Sequence, residues 1–552
     1  MDWYIILLFI SILKNGICFE NNKPNVAIVG GGIGGASSSH FLTELFKNNL
    51  NIDLYEANTI GGRLATVQIN NNEFEAGGSI IHSENKYMQE FVKLLGLKHK
   101  LSHDKRNGIW NGDKVVYEES EWKILSLAKF IYRYGIEPFK LKRYITSIRK
   151  NFEKIYGLQD AGKSFTNITN FLYAINAEYP KSLQISIKDQ LLNLGYSEKL
   201  IDELVQTSLV VNYGQNTNIH SFVGFISLSA ADGNLWSVKG GNKKVPQHLI
   251  YRNKHVNVVS SRVVKIVNIE TNNTQNLYEV HYCNQDSTIV MKSTYNIVIV
   301  AVPLTSDQEF LITFEGFPNN DFYNMEKYHE TVATFVQADL KPHYFGLEEE
   351  LSSILSCNPN KTIVNSVGRL DSVEDVIEDK VWKIFSNKPL KPTIIKDMFS
   401  NVQEIKQIIW KAYPEYSTRI QEAKFKLHNA LYHVNAIEWI ASAMEMSSIS
   451  GRNVALLAYK DFLNAVCLNI VVLFFIKNLS VMYQINAYNY DLIYIFLNNI
   501  FLIRLYNCIH LFNIYLFCLF NTLFYTNIYY KIKIDEYFCF NYVILKMLSP
   551  HL

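Results

Sequence analysis

The sequence predicts an α/β fold whose parallel sheet is assembled from separate stretches of the chain. A short apolar strand begins at Asn25, a glycine cluster and a helix follow, and a second strand ends at Glu56. This is the order of a βαβ unit. Strands return after Gly240-Gly241, and the continuous apolar run from Ile297 to Val302 is typical of a strand that is buried on both faces.

Two insertions are predicted to interrupt this sheet. Helical patterns dominate residues 111–239, a second excursion covers residues 311–425, and the stretch from Ser442 to Phe462 is predicted to be the closing helix. At 552 residues the chain is long enough for more than one core. We therefore predict a discontinuous nucleotide-binding domain of residues 25–110, 240–310 and 426–464, with a mixed α+β substrate or cap domain formed by residues 111–239 and 311–425.

Composition excludes a polyanion-binding protein. The 53 basic and 51 acidic residues give a formal net charge of +2, and so weak an excess does not attract nucleic acid. We predict no nucleic-acid partner and no metal site. Membrane association is allowed but not required, and the oligomeric state is left open.

The N-terminus is predicted to direct the chain into the secretory pathway. An apolar run from Trp3 to Leu13 precedes small residues near Cys18, and residues 1–18 read as a cleaved signal peptide; the alternative is a retained anchor. Acceptor triplets for N-glycosylation begin at Asn167, Asn272 and Asn360. We expect a lysosomal or secreted protein.

The last part of the chain differs in composition from the rest. Residues 465–552 are rich in Asn, Tyr, Phe, Leu and Ile and contain neither glycine nor tryptophan. Two apolar runs there are shorter than the ~20 residues that a membrane-spanning helix requires. The tail is interpreted either as membrane helices or as a translated non-coding stretch that is not native to the fold, and the lack of any sustained period favours the second.

The glycine cluster has the spacing of a dinucleotide-binding turn. Gly30, Gly32 and Gly35 supply the G-x-G-x-x-G pattern between a strand and a helix. The first glycine permits the tight turn, the second lets the backbone approach a diphosphate, and the third lets the helix pack on the strand. Glu56 ends the next strand, where a carboxylate accepts hydrogen bonds from a ribose.

Two further elements favour FAD over NAD. Gly61-Gly62-Arg63 adds a second glycine turn and a guanidinium near the diphosphate, and Glu75-Ala76-Gly77-Gly78-Ser79 offers bare backbone for a flavin ring. This succession resembles the opening of the flavin amine oxidase superfamily, whose FAD domain is glutathione-reductase-like.

Later segments make the resemblance more specific. From about Val26 to about Tyr459 the chain resembles prenylcysteine oxidases, in the family's order and without the tail. The segments that carry this resemblance, besides those above, are Val211-Asn212-Tyr213-Gly214-Gln215, Phe222-Val223-Gly224, Leu235 to Lys243, Val381 to Ser386 and Ser442 to Ser447.

The resemblance implies an FAD-dependent thioether oxidase. Its substrate would be S-farnesyl- or S-geranylgeranyl-cysteine from degraded prenylated proteins, and its products cysteine, a prenyl aldehyde and, from O2, hydrogen peroxide. The matching positions imply FAD contacts at Gly30, Gly32, Gly35, Glu56, Gly62, Arg63, Gly78, Val263, Glu438 and Met444. One position departs from the family, since Ala436 stands where glycine is usual.

No catalytic acid or base is predicted. His82 lies near the expected flavin site, and Lys239 or Lys243 could assist the reduction of oxygen, but hydride transfer requires no protein base. Two alternatives remain. One is an amine or polyamine oxidase on the same fold, and the other is a secreted FAD-binding protein without catalytic activity.

Overall fold

The computed structural model describes residues 23–484 except 102–105, 231–234, 270–276, 285–288, 319–321, 375–379 and 420–421. For residues 101 and 467–484 the backbone alone is described. The predicted signal peptide, Asn272 and residues 485–552 of the tail lie outside the described residues. The chain divides into two units, Met1–Asn469 and Ile470–Leu552, and the first contains every element discussed below except the last part of the helix Met444–Gln484.

A six-stranded sheet lies at the centre of the described part of the first unit. Its strands stand in the spatial order Val256–Val259, Asn51–Tyr55, Asn25–Val29, Ile297–Val300, Leu431–His433 and Lys426–His428. The first five are parallel, with Val26 opposite both Ile52 and Ile297. The sheet therefore combines the three stretches of chain that the sequence assigns to one domain.

Alternate residues of the central strand face different layers. Val26 and Ile28 pack in the core that contains the helices, whereas Ala27 and Val29 pack in a second core beneath a four-stranded sheet. This alternation follows from the two-residue period of a strand. The strands of the covering sheet are Met291–Tyr295, Leu277–Cys283, Arg262–Ile269 and Thr313–Glu315.

A second large sheet, with seven strands among the described residues, forms the cap. Its spatial order is Phe399–Pro414, Tyr328–Leu340, Val381–Ser386, Val364–Leu370, Ser353–Ser356, Asn107–Trp110 and Val115–Glu118. Two small sheets complete the strands that the structure describes: Thr66–Ile69 with Asn72–Glu75, and Ile81–His82, Leu235–Val238 and His99–Leu101.

The helices fill one side of the central sheet and most of the first insertion. In the described residues they are Ile33–Leu45, Lys86–Leu94, Lys123–Tyr134, Glu137–Phe152, Lys154–Asp160, Ile168–Ile175, Ile187–Asn193, Glu198–Leu200, Gln206–Tyr213, Ser221–Ser229, Lys244–Tyr251, Pro392–Met398 and Met444–Gln484. Shorter turns of 3₁₀ or π helix cover Tyr179–Leu183, Ile201–Val205, Pro342–Phe345 and Val434–Trp439.

The predicted α/β architecture is confirmed, but three details differ from the sequence-based expectation. Strand Asn107–Trp110 pairs with Ser353–Ser356 of the cap sheet, and Thr313–Glu315 pairs with Arg262–Ile269 of the covering sheet. Both lie on the other side of the predicted domain boundaries. The closing helix does not end at Phe462 but continues to Gln484. The sheet to which each of these two strands belongs depends on pairing with a strand that is distant in sequence. Local sequence patterns do not predict such pairing.

Candidate functional site

The first glycine turn has the close packing that its spacing predicts. Gly30 has a φ of 106°, and a Cβ there would lie 2.7 Å from the carbonyl oxygen of Ala301. A Cβ on Gly35 would lie 2.0 Å from the carbonyl oxygen of Gly30, so the helix Ile33–Leu45 can approach the turn only with glycine at this position. These two glycines shape the turn.

Gly32 has a different environment. Its φ is −72°, which any residue can adopt, and the nearest atom to a Cβ there would be the carbonyl oxygen of Gly61 at 3.9 Å. The protein itself therefore has room for a side chain at Gly32. Glycine at this position leaves bare backbone at the N-terminus of the helix Ile33–Leu45, where unpaired N–H groups and the helix dipole favour an anion such as a diphosphate.

The second glycine turn lies directly against the first. The N–H of Gly61 donates to the carbonyl oxygen of Gly31 at 3.0 Å, and Gly32 and Gly61 form a parallel β-bridge. Gly62 has a φ of 56° and is exposed. The structure thus brings together Gly30, Gly32, Gly35 and Gly62, and the atoms nearest to a Cβ on Gly32 or Gly62 are backbone atoms of the other turn. This cradle fits an extended dinucleotide.

Glu56 lies at the end of its strand beside the first turn. Its Oε2 accepts from the N–H of Gly31 at 2.7 Å and its Oε1 from the N–H of Asn58 at 2.8 Å. Each carboxylate oxygen accepts more than one hydrogen bond, so both retain acceptor capacity, and the half-buried side chain is held in one orientation. Glu56 therefore has oxygen atoms available to accept further hydrogen bonds.

Arg63 and Glu438, predicted as separate FAD contacts, bind each other. The two guanidinium nitrogens of Arg63 donate to the two carboxylate oxygens of Glu438, and one of them also donates to the carbonyl oxygen of Ala412 at 2.6 Å. Tyr328 and Asn435 donate to the same carboxylate at 2.7 and 2.8 Å. The ion pair joins the N-terminal glycine turns to the C-terminal segment.

The charges of this pair are stabilised by each other. Burial alone would lower the pKa of Arg63, but the adjacent carboxylate of Glu438 more than offsets burial and raises it. The pKa of Tyr328 is raised well above its ordinary value, by burial and then by the negative charge of Glu438. Arg63 is therefore a permanent cation, and one third of its side chain remains accessible (34 %).

The expected flavin-facing loop is held by a buried asparagine. Asn242 donates its backbone N–H to Glu75 Oε1 at 2.6 Å and its Nδ2 to the carbonyl oxygen of Gly78 at 2.9 Å. Gly78 lies beside Met444, the first residue of the C-terminal helix, because a Cβ on Gly78 would meet the Met444 side chain at 3.8 Å. Gly78 and Met444, each predicted to contact FAD, thus lie close together, and Asn242 holds the backbone of Gly78.

Lys383 is a functional candidate that was not predicted from the sequence. This lysine lies in the strand Val381–Ser386 and is almost fully buried, with its Nζ donating to the carbonyl oxygen of Glu75 at 3.0 Å and reaching that of Gly77 at 3.5 Å. Burial lowers its pKa to about 8 and raises the pKa of Glu75 to about 7. The sequence does contain an indication of this role. A single lysine within the apolar segment Val381-Trp382-Lys383-Ile384-Phe385 is unusual, because lysine is rarely buried.

The weaker sequence candidates have structural partners. Lys243 donates to Thr66 at 2.6 Å and pairs with Glu73 at 2.8 Å. The Nδ1 of His82 accepts from the N–H of Glu84 at 3.1 Å. The backbone N–H of Lys239 donates to the backbone carbonyl oxygen of Lys98 at 2.8 Å. The cation that the fold brings to the Gly77-Gly78 backbone is Lys383.

Two other predicted positions lie in hydrophobic cores. Val263 belongs to the core cluster that contains Val29 and Tyr55, at the end of the central sheet where the glycine turns begin. Ala436 is fully buried in the 3₁₀ turn Val434–Trp439, so its methyl group contributes to packing. Among the described residues no group of three or more His, Cys, Asp or Glu side chains is arranged to hold a metal ion.

The fold and the site define a dinucleotide-binding protein of the Rossmann class, and residues 28–95 match the family model described as an NAD(P)-binding Rossmann-like domain. Residues 117–469 match the model described as prenylcysteine lyase. The chain belongs to the prenylcysteine lyase family.

Curated relatives agree with this assignment. Over 453 residues the chain is 36% identical to prenylcysteine oxidase 1 of Bos taurus, an alignment that covers 79% of this chain and 88% of the relative. Prenylcysteine oxidase 1 of Homo sapiens is also 36% identical, with coverage of 79% and 88%. Prenylcysteine oxidase 1-like of Homo sapiens is 34% identical, with coverage of 79% and 90%.

Solved structures share the fold at low sequence identity. Putrescine oxidase bound to putrescine aligns with a TM-score of 0.52 at 13% identity, over 79% of this chain and 98% of the other. Cyclohexylamine oxidase from Brevibacterium oxydans aligns with a TM-score of 0.52 at 12% identity, over 80% and 100%. These likenesses confirm the predicted fold class.

Proposed function

We propose that this protein is an FAD-dependent oxidase that cleaves S-prenyl-L-cysteine. The observation that carries the proposal is the family match over residues 117–469 together with an intact dinucleotide cradle in the remaining N-terminal part. Relatives named prenylcysteine oxidase align with both parts. The family match therefore supports the substrate, and the cradle supports the cofactor.

The cofactor proposal rests on the two adjoining glycine turns. Bare backbone at Gly32 and Gly62 leaves room for a diphosphate, and Glu56 has acceptor capacity for a ribose. The Gly77-Gly78 loop, which Asn242 holds through a hydrogen bond, would contact the flavin ring. When bound, FAD supplies the acceptor for the hydride that leaves the isoprenoid carbon next to sulfur.

The overall reaction balances with water and O2 as co-substrates. The carbon–sulfur bond of the thioether breaks, the isoprenoid carbon is oxidised to an aldehyde with its oxygen from water, the sulfur leaves as the thiol of cysteine, and O2 is reduced to hydrogen peroxide. The role of the cradle residues is to bind and orient the cofactor. Lys383 contributes a cation at the face of the Gly77-Gly78 loop, where it would stabilise negative charge that develops during the reduction of oxygen.

We also place the protein in the secretory pathway, in the lysosome or outside the cell. Asn360 is exposed and is available as a glycan acceptor. Asn167 is half-buried, and its side chain accepts from the N–H of Asn170 at 2.8 Å. Because Oδ1 makes this bond, the Nδ2 that a glycan would modify is not consumed by it.

The experiment uses the purified full chain. Its visible spectrum is recorded before and after addition of excess FAD, and the protein is then mixed without oxygen with farnesylcysteine, geranylgeranylcysteine or spermine. We expect a yellow protein whose absorption is bleached by a prenyl thioether, and release of hydrogen peroxide and cysteine in equal amounts when air is admitted.

Three results would overturn the proposal. A protein that stays colourless with excess FAD has no functional cradle. Peroxide from spermine alone would identify an amine oxidase instead. A yellow protein that no prenyl thioether bleaches would identify a flavin-binding protein without this activity.

A further inference from the structure

The helix Lys123–Tyr134 presents most of its large apolar side chains to solvent, whereas Phe130 and Tyr134 pack against the core. Tyr134 is its one buried residue, whereas Ile124 is 84% and Tyr132 is 95% exposed. The exposed apolar residues of this helix and of the segments next to it are Trp122, Ile124, Leu125, Leu127, Ile131, Tyr132, Ile136 and Phe139. A contiguous apolar surface of this kind marks a binding site on a soluble domain.

Three polar side chains of the same helix, Ser126, Lys129 and Arg133, contact other parts of the protein. Arg133 forms a bidentate pair with Glu203, at 2.7 Å for both bonds. Lys129 pairs with Glu118 at 3.3 Å, and Ser126 exchanges two hydrogen bonds with the backbone of Ser120. Surface helices normally bury the apolar stripe and expose the polar one. This helix has the opposite orientation, and its polar contacts hold the apolar face outward.

The charges around this face favour a negatively charged partner. Residues 121–143 contain six basic and two acidic residues, in a chain whose net charge is only +2. Four of the six, Lys123, Lys140, Lys142 and Arg143, have exposed side chains. Trp122 and Tyr132 carry the amphipathic rings that prefer the boundary between lipid headgroups and acyl chains.

We infer that the helix Lys123–Tyr134 and the start of the helix Glu137–Phe152 dock onto an anionic phospholipid bilayer. An outward apolar face with basic residues and aromatic rings beside it is the pattern of a helix that lies in the interface plane without crossing it. No helix in the described part of the chain is long and apolar enough to span a membrane. The inference goes beyond the proposed function, because it concerns where the protein binds and not what it oxidises.

The test measures binding of the full-length protein to lipid vesicles by flotation. Phosphatidylcholine vesicles are compared with vesicles that also contain phosphatidylserine. We expect the protein to float with the anionic vesicles and to bind neutral vesicles at least about tenfold more weakly, because basic residues near the surface are attracted to anionic headgroups. Added salt should weaken the binding, since these charges are exposed.

Matched variants locate the contact. The double variant Ile124→Asp/Tyr132→Asp places two carboxylates on the apolar face, and we expect its affinity for anionic vesicles to fall at least about tenfold. The control Tyr173→Asp/Tyr251→Asp makes the same kind of change at two exposed side chains of other helices, 64% and 66% accessible, and should bind as the wild type does. Equal thermal unfolding midpoints would show that both variants are folded.

Three outcomes would overturn the inference. The wild type fails to float with any vesicle, the double variant floats as well as the wild type, or the wild type forms a dimer in solution that the double variant abolishes while vesicles are not bound. The last result would assign the face to a second copy of the chain. Because flotation does not require turnover, its result is independent of the oxidase assay.

Discussion

The Nζ of Lys383 lies 3.0 Å from the backbone carbonyl oxygen of Glu75, in a region where both side chains are buried and charged groups are costly. Lys383 comes from the cap sheet and Glu75 from the hairpin that follows the second glycine turn. Burial lowers the pKa of the lysine to about 8 and raises that of the glutamate to about 7. Such opposing shifts next to a cofactor-sized cradle are typical of a functional site.

Replacement of Lys383 tests its role towards oxygen. Lys383→Met removes the cation beside the Gly77-Gly78 loop, and we expect reoxidation of the reduced protein by O2 to slow by about 100-fold, with little change in bleaching by the prenyl thioether. Stopped-flow absorption measures the two steps separately. Lys243→Met is the control, because that lysine pairs with Glu73 instead. Equal slowing in both variants would contradict the assignment.

The same lysine predicts the pH dependence of the oxygen step. With a pKa of about 8, Lys383 is charged below this pH and neutral above it, so the rate should fall as pH rises through about 8. The carboxylate of Glu75 raises the pKa of Lys383, and Glu75→Gln removes this charge. We therefore expect the decline of the variant to begin at lower pH than that of the wild type.

Glu73→Gln is the matched control for this pH profile. Glu73 lies in the same hairpin as Glu75, but its carboxylate binds Lys243 and Thr66. Its profile should coincide with that of the wild type. A Glu75→Gln profile that does not move, or that moves to higher pH, would show that Glu75 does not act on Lys383.

Two glycines of the first turn are expected to respond differently to the same substitution. Gly32→Ala should fold, because its Cβ meets no protein atom closer than 3.9 Å, yet the methyl group occupies the space for a diphosphate. We expect at least about a tenfold loss of FAD affinity, read from fluorescence titration of the apoprotein. Gly35→Ala should instead fail to fold, since its Cβ would lie 2.0 Å from Gly30. Tight FAD binding by folded Gly32→Ala would count against the cradle.

Removal of one member of the Arg63–Glu438 pair should destabilise the protein. Glu438→Gln leaves the guanidinium without its counter-charge, and we expect the free energy of unfolding to fall by about 2–3 kcal/mol, measured by denaturant titration. Glu349→Gln, in an exposed pair with Arg106, should cost less than about 1 kcal/mol. Similar losses at both positions would show that the Glu438 pair contributes no more than a surface pair.

The local parts of the site were predictable from sequence because their causes are local. The turn at Gly30, Gly32 and Gly35 follows from backbone geometry within a few residues, and so does the position of Glu56 at the end of its strand. Relationships between distant segments were not predictable. The partnership of Arg63 with Glu438 spans 375 residues, and a single sequence contains no signal that one charge faces the other.

Lys383 and the helix Lys123–Tyr134 illustrate the same limit. The sequence places a lysine in an apolar strand but does not say which loop the strand covers. It also predicts helices within residues 111–239, but periodicity cannot decide whether the apolar side of a helix faces inward or outward. Here that orientation is set by Glu203 and Glu118, which bind its arginine and one of its lysines.

The C-terminal part of the first unit completes the domain that the N-terminal part begins. Strand Leu431–His433 lies next to Ile297–Val300, and the helix that starts at Met444 crosses the helix Ile33–Leu45 at small residues, where a Cβ on Gly451 would lie 2.8 Å from that of Ser37. During synthesis, the nucleotide site therefore remains incomplete until the strand Leu431–His433 and the helix that follows it have been made. Nascent chains of intermediate length therefore expose unpaired strand edges, and we expect the cofactor to bind only after nearly the whole unit has left the ribosome.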